Sequence, residues 1–121
     1  MEHDKNLERP DGRLRVDFCG LLFDTPLVLL SGCVGFGQEY TRVRGFSNRD
    51  VGAICLKGTT RLARLGNELH RVCETPSGML NSIGLDNDGI DAFLEHHLPY
   101  LAQFTAPTIV SIAGKTHDEF V

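Results

Sequence analysis

The sequence has no tryptophan, only two tyrosines and two methionines, and no apolar run that approaches the roughly 20 residues a membrane-spanning helix needs. A transmembrane role is therefore not expected. Basic residues are outnumbered, 12 Lys and Arg against 16 Asp and Glu, for a net charge of −4. The arginines at 42, 44, 49, 61, 64 and 71 are interrupted by apolar and small residues and read as solvated helix and loop surface. With no basic face, a nucleic-acid partner is not expected either. Cysteines are few and scattered. Cys19, Cys33, Cys55 and Cys73 fit neither a zinc knuckle nor a small disulfide scaffold and read as reduced thiols, Cys55 as a small core residue. No metal site is expected, since His96 and His97 are adjacent and on a helix would point in different directions. The N-terminal stretch MEHDKNLERPDGR is too polar and acidic for a signal peptide, which makes the cytoplasm the expected location.

What is present is an ordinary soluble composition, 41% apolar and 23% charged over 121 residues, enough for one domain. Residues 1–12 read as a polar lead-in and residues 13–121 as the domain. LRVDFCGLLF, broken by Gly20, predicts a β-hairpin. TPLVLLSG, residues 25–32, is apolar without alternation, the pattern of a parallel strand buried on both faces. Tyr40, Val43 and Phe46 then recur at helical spacing. VGAICLK, residues 51–57, is a second buried run, and PTIVSIAG, residues 107–114, a third. Between them lies a long loop, then DGIDAFLEHHLPYLAQF, which sets Ile90, Phe93, Leu94, Leu98 and Leu101 on one helical face, with Pro99 ending or kinking the helix.

This order of buried strands and helices is that of βα units on a parallel sheet, and fits a doubly wound sheet or a (β/α)8 barrel. Thr116 and Glu119 form a capping-box pattern that announces another helix, yet the sequence stops at Val121. A barrel needs about 250 residues. The expectation is therefore the N-terminal part of a larger α/β protein, truncated after roughly three βα units preceded by the hairpin.

Parallel α/β folds bind ligands at the carboxyl ends of their strands. Lys57 ends the second run, so its ammonium would emerge there and could stabilise an anion or a cofactor that gains charge on reduction. It is equally readable as a lysine snorkelling to solvent. Ser31 and Gly32 open a glycine-rich turn through Gly35 and Gly37 that can approach a ring or phosphate closely. This turn lacks the third glycine of a dinucleotide fingerprint. GMLNSIGLDNDG, residues 78–89, reads as neither a good strand nor a good helix, and mixes amides, apolar residues and glycines. Asn81 suits the donor and acceptor edges of a flat polar ring, whereas Asn87 reads as turn chemistry ahead of the helix.

Taken together, LVLLSGCVGFGQEY, GAICLKGTTRLARLGNELHRVCETPSGMLNSIGLDNDG and IVSIAG resemble the N-terminal part of the soluble dihydroorotate dehydrogenases, from about Leu14 onward. They look most like the catalytic subunit of the NAD-linked two-subunit type. The resemblance implies an FMN-dependent (β/α)8 TIM barrel that oxidises dihydroorotate to orotate in pyrimidine biosynthesis. A homodimeric core and an iron-sulfur FAD flavoprotein as electron-transfer partner come with it. Carried over by position, Ser31, Gly32, Lys57 and Gly58 would hold FMN. Lys57, Asn81, Ser82, Ile83, Gly84 and Leu85 would hold the substrate, the loop forming one wall of its pocket. The general base, a cysteine or serine in that family, is expected beyond Val121, so no catalytic base is assigned in these residues. Leu30, where alanine is common, and Leu69-His70, where proline is more usual before Arg71, depart from the family pattern. Two other readings stay open: a noncatalytic truncated fragment or interaction module, and a related FMN barrel acting on dihydropyrimidine bases.

Overall fold

Residues 12–121 are described by the structure, a computed structural model. The reading of 1–12 as a lead-in falls outside these residues except at Gly12, which opens a 3-10 turn, Gly12–Leu14. β1 (Val16–Phe18) and β2 (Leu21–Phe23) pair antiparallel as the sequence predicts. Their two-residue connection is Cys19-Gly20, with φ of 53° and 82°. Two successive left-handed residues make the tight turn whose twist matches a hairpin. The Asp17 carboxylate closes it by accepting from the Gly20 amide at 2.9 Å.

Three parallel strands follow, β3 (Val28–Leu29), β4 (Ala53–Cys55) and β7 (Thr108–Ile109), in the order β3-β4-β7. Register pairs Leu29 with Ile54, and Ile54 with Thr108. Position in this order decides burial. β4 is central, and Val51, Ala53, Ile54 and Leu56 are all buried. β3 is an edge strand, so the expectation that its run is buried on both faces is corrected: Leu27, Val28 and Leu30 are exposed, Leu30 at 63%. The core lies on one face of the sheet, where Ile54 and Leu56 meet Val34, Phe36, Val51, Phe93 and Leu101.

After β3 the chain makes only a short helix, α1 (Ser31–Val34), which ends at Gly35 with φ of 55°. The helix predicted from Tyr40, Val43 and Phe46 is absent. Tyr40–Arg42 is a single 3-10 turn closed by an extended Val43, and Gly37 and Gly45 have φ of 79° and 85°. Left-handed glycines interrupt the helical path, and helical spacing between them is coincidental. Asn48, fully buried, ties this segment down by donating to the Gly37 carbonyl at 2.8 Å.

The helix over residues 89–101 forms, with a modification. It runs as α2 (Gly89–Ala92), a π-helical turn (Phe93–His97) and α3 (Leu98–Leu101). The Leu98 amide donates to the Phe93 carbonyl, five residues back. Pro99 has no N–H for a carbonyl four residues earlier, and the widened turn accommodates it without ending the helix. The extra residue shifts the buried face. Phe93 and Leu101 are in the core as expected, whereas Leu94 and Leu98 are exposed and His97 turns inward. The His97 ring stacks on Phe36 with centroids 4.0 Å apart, its Nε2 lies 3.5 Å from Asp88, and its Nδ1 has no hydrogen-bond partner among the described residues. His96 points outward, so the two histidines diverge as predicted.

The long segment before this helix is better ordered than its sequence suggests. Residues 78–81 are strand, not loop: β5 (Val72–Thr75) and β6 (Gly78–Asn81) form a second antiparallel hairpin. Thr75 pairs with Gly78 across a two-residue turn, a pairing that hydrophobic pattern alone did not indicate because both faces of this ribbon are largely exposed. After β7 the capping box forms as predicted, leading into one 3-10 turn, His117–Glu119. The Glu119 carboxylate accepts from the Lys115 and Thr116 amides. The Lys115 bond above all holds its pKa below the ordinary 4.5.

Two expectations follow from this packing. A Cβ on Gly52 would lie 1.8 Å from the Thr25 carbonyl oxygen and 3.1 Å from Phe23 Cβ, at the amino end of β4. Gly52→Ala should lower unfolding stability by about 1–3 kcal/mol or more in thermal or urea unfolding, as steric overpacking does. Because the Glu119 pKa is depressed by folding, its contribution is present above the unfolded value of 4.5 and lost as pH falls through the lower folded one. The amide resonances of Lys115 and Thr116 should therefore move together in an acid NMR titration, with a midpoint below 4.5.

Candidate functional site

Backbone hydrogen bonds carry the sheet past its formal strand ends. The amides of Leu56 and Thr59 donate to the carbonyls of Ile109 and Ser111, each at 2.8 Å, and the Lys57 amide donates to the Gly35 carbonyl at 2.8 Å. Lys57 thus leaves the central strand at the carboxyl edge of the sheet, with its backbone fixed to the end of α1. Its side chain is half-buried. Ser31 and Gly32 lie at the start of the same helix, and Gly32 has open space where a Cβ would project.

The segment over residues 82–88 folds back onto this edge. The Asn67 carboxamide donates to the Ser82 carbonyl at 3.0 Å and to its hydroxyl at 2.8 Å, and the Asn67 amide donates to the Ile83 carbonyl at 3.0 Å. Gly84 and Leu85 take left-handed φ values of 80° and 59°. A Cβ at Gly84 would lie 2.6 Å from the Asn67 backbone nitrogen, so this position has no room for a side chain. Leu85 is delivered against Gly58: a Cβ there would lie 2.8 Å from Leu85 Cδ1.

Asn87 locks the segment in place. It is 3% exposed, and its Oδ1 accepts from the amides of Thr60 at 3.1 Å and Gly89 at 3.0 Å. Its Nδ2 donates to the Leu85 carbonyl at 2.9 Å and to Thr60 Oγ1 at 3.1 Å, while the Thr60 hydroxyl donates to the Leu62 carbonyl at 2.6 Å. Its backbone pairs with Arg64 in both directions, at 2.8 and 2.9 Å. The sequence reading of Asn87 as structural matches this geometry, with a reach well beyond a local turn.

Charged groups gather at the same edge. Asp86 Oδ2 lies 3.2 Å from Arg71 Nη1 and 4.0 Å from Lys57 Nζ. Arg71 also donates through Nε to the Asn67 carbonyl at 2.5 Å and through Nη2 to the Leu65 carbonyl. Its assignment to solvated surface is corrected: the guanidinium is committed to three acceptors, and the chain around it is folded to supply them. The structure therefore brings Lys57, Gly58 and Leu85 together, with Ser82, Ile83 and Gly84 on the same Asn67-braced loop. Ser31 and Gly32 are linked to them only indirectly: the Gly35 amide donates to the Ser31 carbonyl at 3.2 Å and the Gly35 carbonyl accepts from Lys57. Asn81, exposed at the end of β6, is joined through the next residue, whose amide donates to the Arg71 carbonyl at 2.7 Å. Asn67, Arg71 and Asp86 were missed by sequence reasoning. Their only signal was polarity within a segment short of strand alternation.

A cavity of about 430 Å³ lies elsewhere, between Thr59, Thr60, Ile90, Val110, Ile112 and Phe120. None of the residues expected from the sequence to hold cofactor or substrate lines it.

The family model for dihydroorotate dehydrogenase matches residues 13–121. The chain belongs to the dihydroorotate dehydrogenase family. Curated relatives in this family include the dihydroorotate dehydrogenase B (NAD(+)) catalytic subunits of Bacillus caldolyticus, 50% identical over 109 residues, and Listeria monocytogenes serotype 4a, 48% identical over 109 residues. Each alignment covers 90% of this chain and 34% or 35% of the relative, so the chain spans about a third of their length. A dihydroorotate dehydrogenase of Eimeria tenella, solved in complex with ferulenol, superposes with a TM-score of 0.67 at 21% identity, covering 95% of this chain and 34% of that one. The likeness extends the fold assignment: hairpin, three parallel strands and intervening helix are part of the (β/α)8 barrel of this family. Among the described residues no helix is long and apolar enough to cross a membrane.

Removing the Asn87 carboxamide leaves the buried Thr60 and Gly89 amides without acceptors. Asn87→Ala should cost about 2–6 kcal/mol of stability, at roughly 1–3 kcal/mol for each of the two orphaned buried donors. Hydrogen exchange at the Thr60 and Gly89 amides should accelerate at once, which distinguishes loss of this clamp from general loosening.

Proposed function

We propose that this chain forms part of the active site of an FMN-dependent dihydroorotate dehydrogenase, which oxidises dihydroorotate to orotate in cytoplasmic pyrimidine biosynthesis. The observation that carries this reading is the meeting, at one edge of the sheet, of a cation leaving the buried central strand and a glycine-bearing loop folded over it. The loop is held at the Gly58–Leu85 contact and at the 4.0 Å approach of Lys57 to Asp86. Family membership supports the substrate class.

The residues present fit a flat, anionic cofactor. Open space above Gly32 lets a ring come close to the backbone beside Ser31, whereas the space at Gly58 is taken by Leu85, which brings that loop next to Lys57. FMN, when bound, supplies the hydride acceptor. Ser31, Gly32, Lys57 and Gly58 would hold it, and the Lys57 ammonium would offset negative charge there. Asn81 pairs with the polar edge of the substrate, while Ser82, Ile83, Gly84 and Leu85 enclose it and exclude water. Overall, dihydroorotate loses a proton from C5 and a hydride from C6. The base for the proton, a cysteine or serine by family resemblance, is assigned to none of the residues here.

The relatives are named as NAD(+)-type catalytic subunits, which supports a second subunit; that this subunit is an iron-sulfur FAD flavoprotein, and that the core is homodimeric, are parts of the proposal carried over from the family resemblance. A chain spanning about a third of those relatives also supports a further statement, that the 121 residues alone bind substrate too incompletely to turn over.

In a protein carrying this chain within a barrel of the relatives' length, Lys57→Ala should fold and bind flavin yet slow flavin reduction by dihydroorotate by about 100-fold, the scale of losing one electrostatic stabiliser. Reduction at the unmodified rate would remove Lys57 from the reaction. Dihydrouracil, which lacks the carboxylate, should reduce the same flavin poorly, and the reverse preference would reassign the substrate to dihydropyrimidine bases. Dihydroorotate-dependent bleaching of flavin bound to the 121-residue chain by itself would overturn the statement that it is inactive alone.

A further inference from the structure

We propose that Asp86 is a positioning residue that fixes the ammonium of Lys57 at the mouth of the site. The proposal rests on the assignment of that site to dihydroorotate oxidation and adds a residue to it. Two cations share one carboxylate oxygen, but they are held differently. Arg71 is bound to the backbone carbonyls of Leu65 and Asn67 as well as to Asp86, so the guanidinium is immobile and fixes the carboxylate in turn. Gly66 makes this possible: a Cβ there would lie 3.0 Å from Asp86 Cβ and 3.4 Å from Arg71 Cζ.

The backbone of Asp86 is constrained on both sides. Leu85 before it is packed on Gly58, and Asn87 after it is locked to Thr60 and Arg64. Lys57, on a four-carbon stem, is the one member of the trio able to move, and at 4.0 Å it is held by charge without being saturated by hydrogen bonds. Its N–H groups remain available to a ligand. Two positive charges against one negative leave the cluster cationic, which suits an anionic ligand. Asp86 therefore orients the lysine without cancelling the charge of the site, and an uncharged isostere would lose the orienting pull while keeping an oxygen for Arg71.

The test uses the whole protein that carries this chain, with Asp86→Asn, Asp86→Glu and Lys57→Ala. Acetylation of Lys57 by acetic anhydride, read by mass spectrometry, should be about fivefold faster in Asp86→Asn, the factor set by losing one partly exposed ion pair, with Lys115 as an unchanged internal control. In a double-mutant cycle, Asp86→Asn should slow flavin reduction by dihydroorotate about fivefold when Lys57 is present and leave it unaltered in Lys57→Ala, with Asp86→Glu recovering part of the loss. Unchanged Lys57 labelling, or an equal slowing with and without Lys57, overturns the proposal. If dihydroorotate fails to reduce the unmodified protein, the assignment of function fails, and the labelling alone decides whether Asp86 restrains Lys57.

Discussion

The arrangement at the edge of the sheet hangs on one buried carboxamide. Asn87 receives the amide of Thr60, just past the central strand, and that of Gly89, where the helix begins, while donating to the carbonyl of Leu85 in the folded-back loop. Each of these partners is a main-chain group, and a buried donor left alone is costly. A single side chain therefore ties strand, loop and helix in one register. The positions of Lys57, Gly58 and Leu85 relative to one another depend on that tie more than on any apolar contact among them.

Close backbone approach is the second ingredient, and glycine supplies it at a few decisive points. Gly52 lets the turn before β3 sit on β4. Gly58 admits the Leu85 side chain, and Gly84 lies flush on Asn67. The apolar core, by contrast, occupies one face of the sheet, where Ile54 and Leu56 meet Phe93 and Leu101. The candidate site lies past the carboxyl ends of the strands, so it can hold exposed charge without disturbing that packing.

Much of this was legible in the sequence, and the exceptions have physical causes. The first hairpin announced itself through Gly20 between apolar runs, and the central strand through an unbroken apolar run. Lys57 could be placed at the strand end because the run stops there. The same logic failed for residues 25–32, since apolar composition does not say whether a strand is central or at an edge. It failed for Tyr40, Val43 and Phe46, where spacing was right but Val43 is extended and the intervening Gly45 took a left-handed angle. The second hairpin escaped notice because neither of its faces is buried, leaving no alternation to read. Asp86 and Arg71 were invisible for another reason: their significance is mutual, arising only once residues 15 positions apart are folded together.

The π-helical turn before Pro99 has a consequence of its own. By forcing one extra residue into that coil, the proline threads the rest of the helix one step out of phase, and an aromatic imidazole, rather than leucine, slides beneath Phe36. The proline behaves as a ratchet pawl: it selects which of two neighbouring side chains becomes interior, and a chain relieved of it would be free to rewind and swap them.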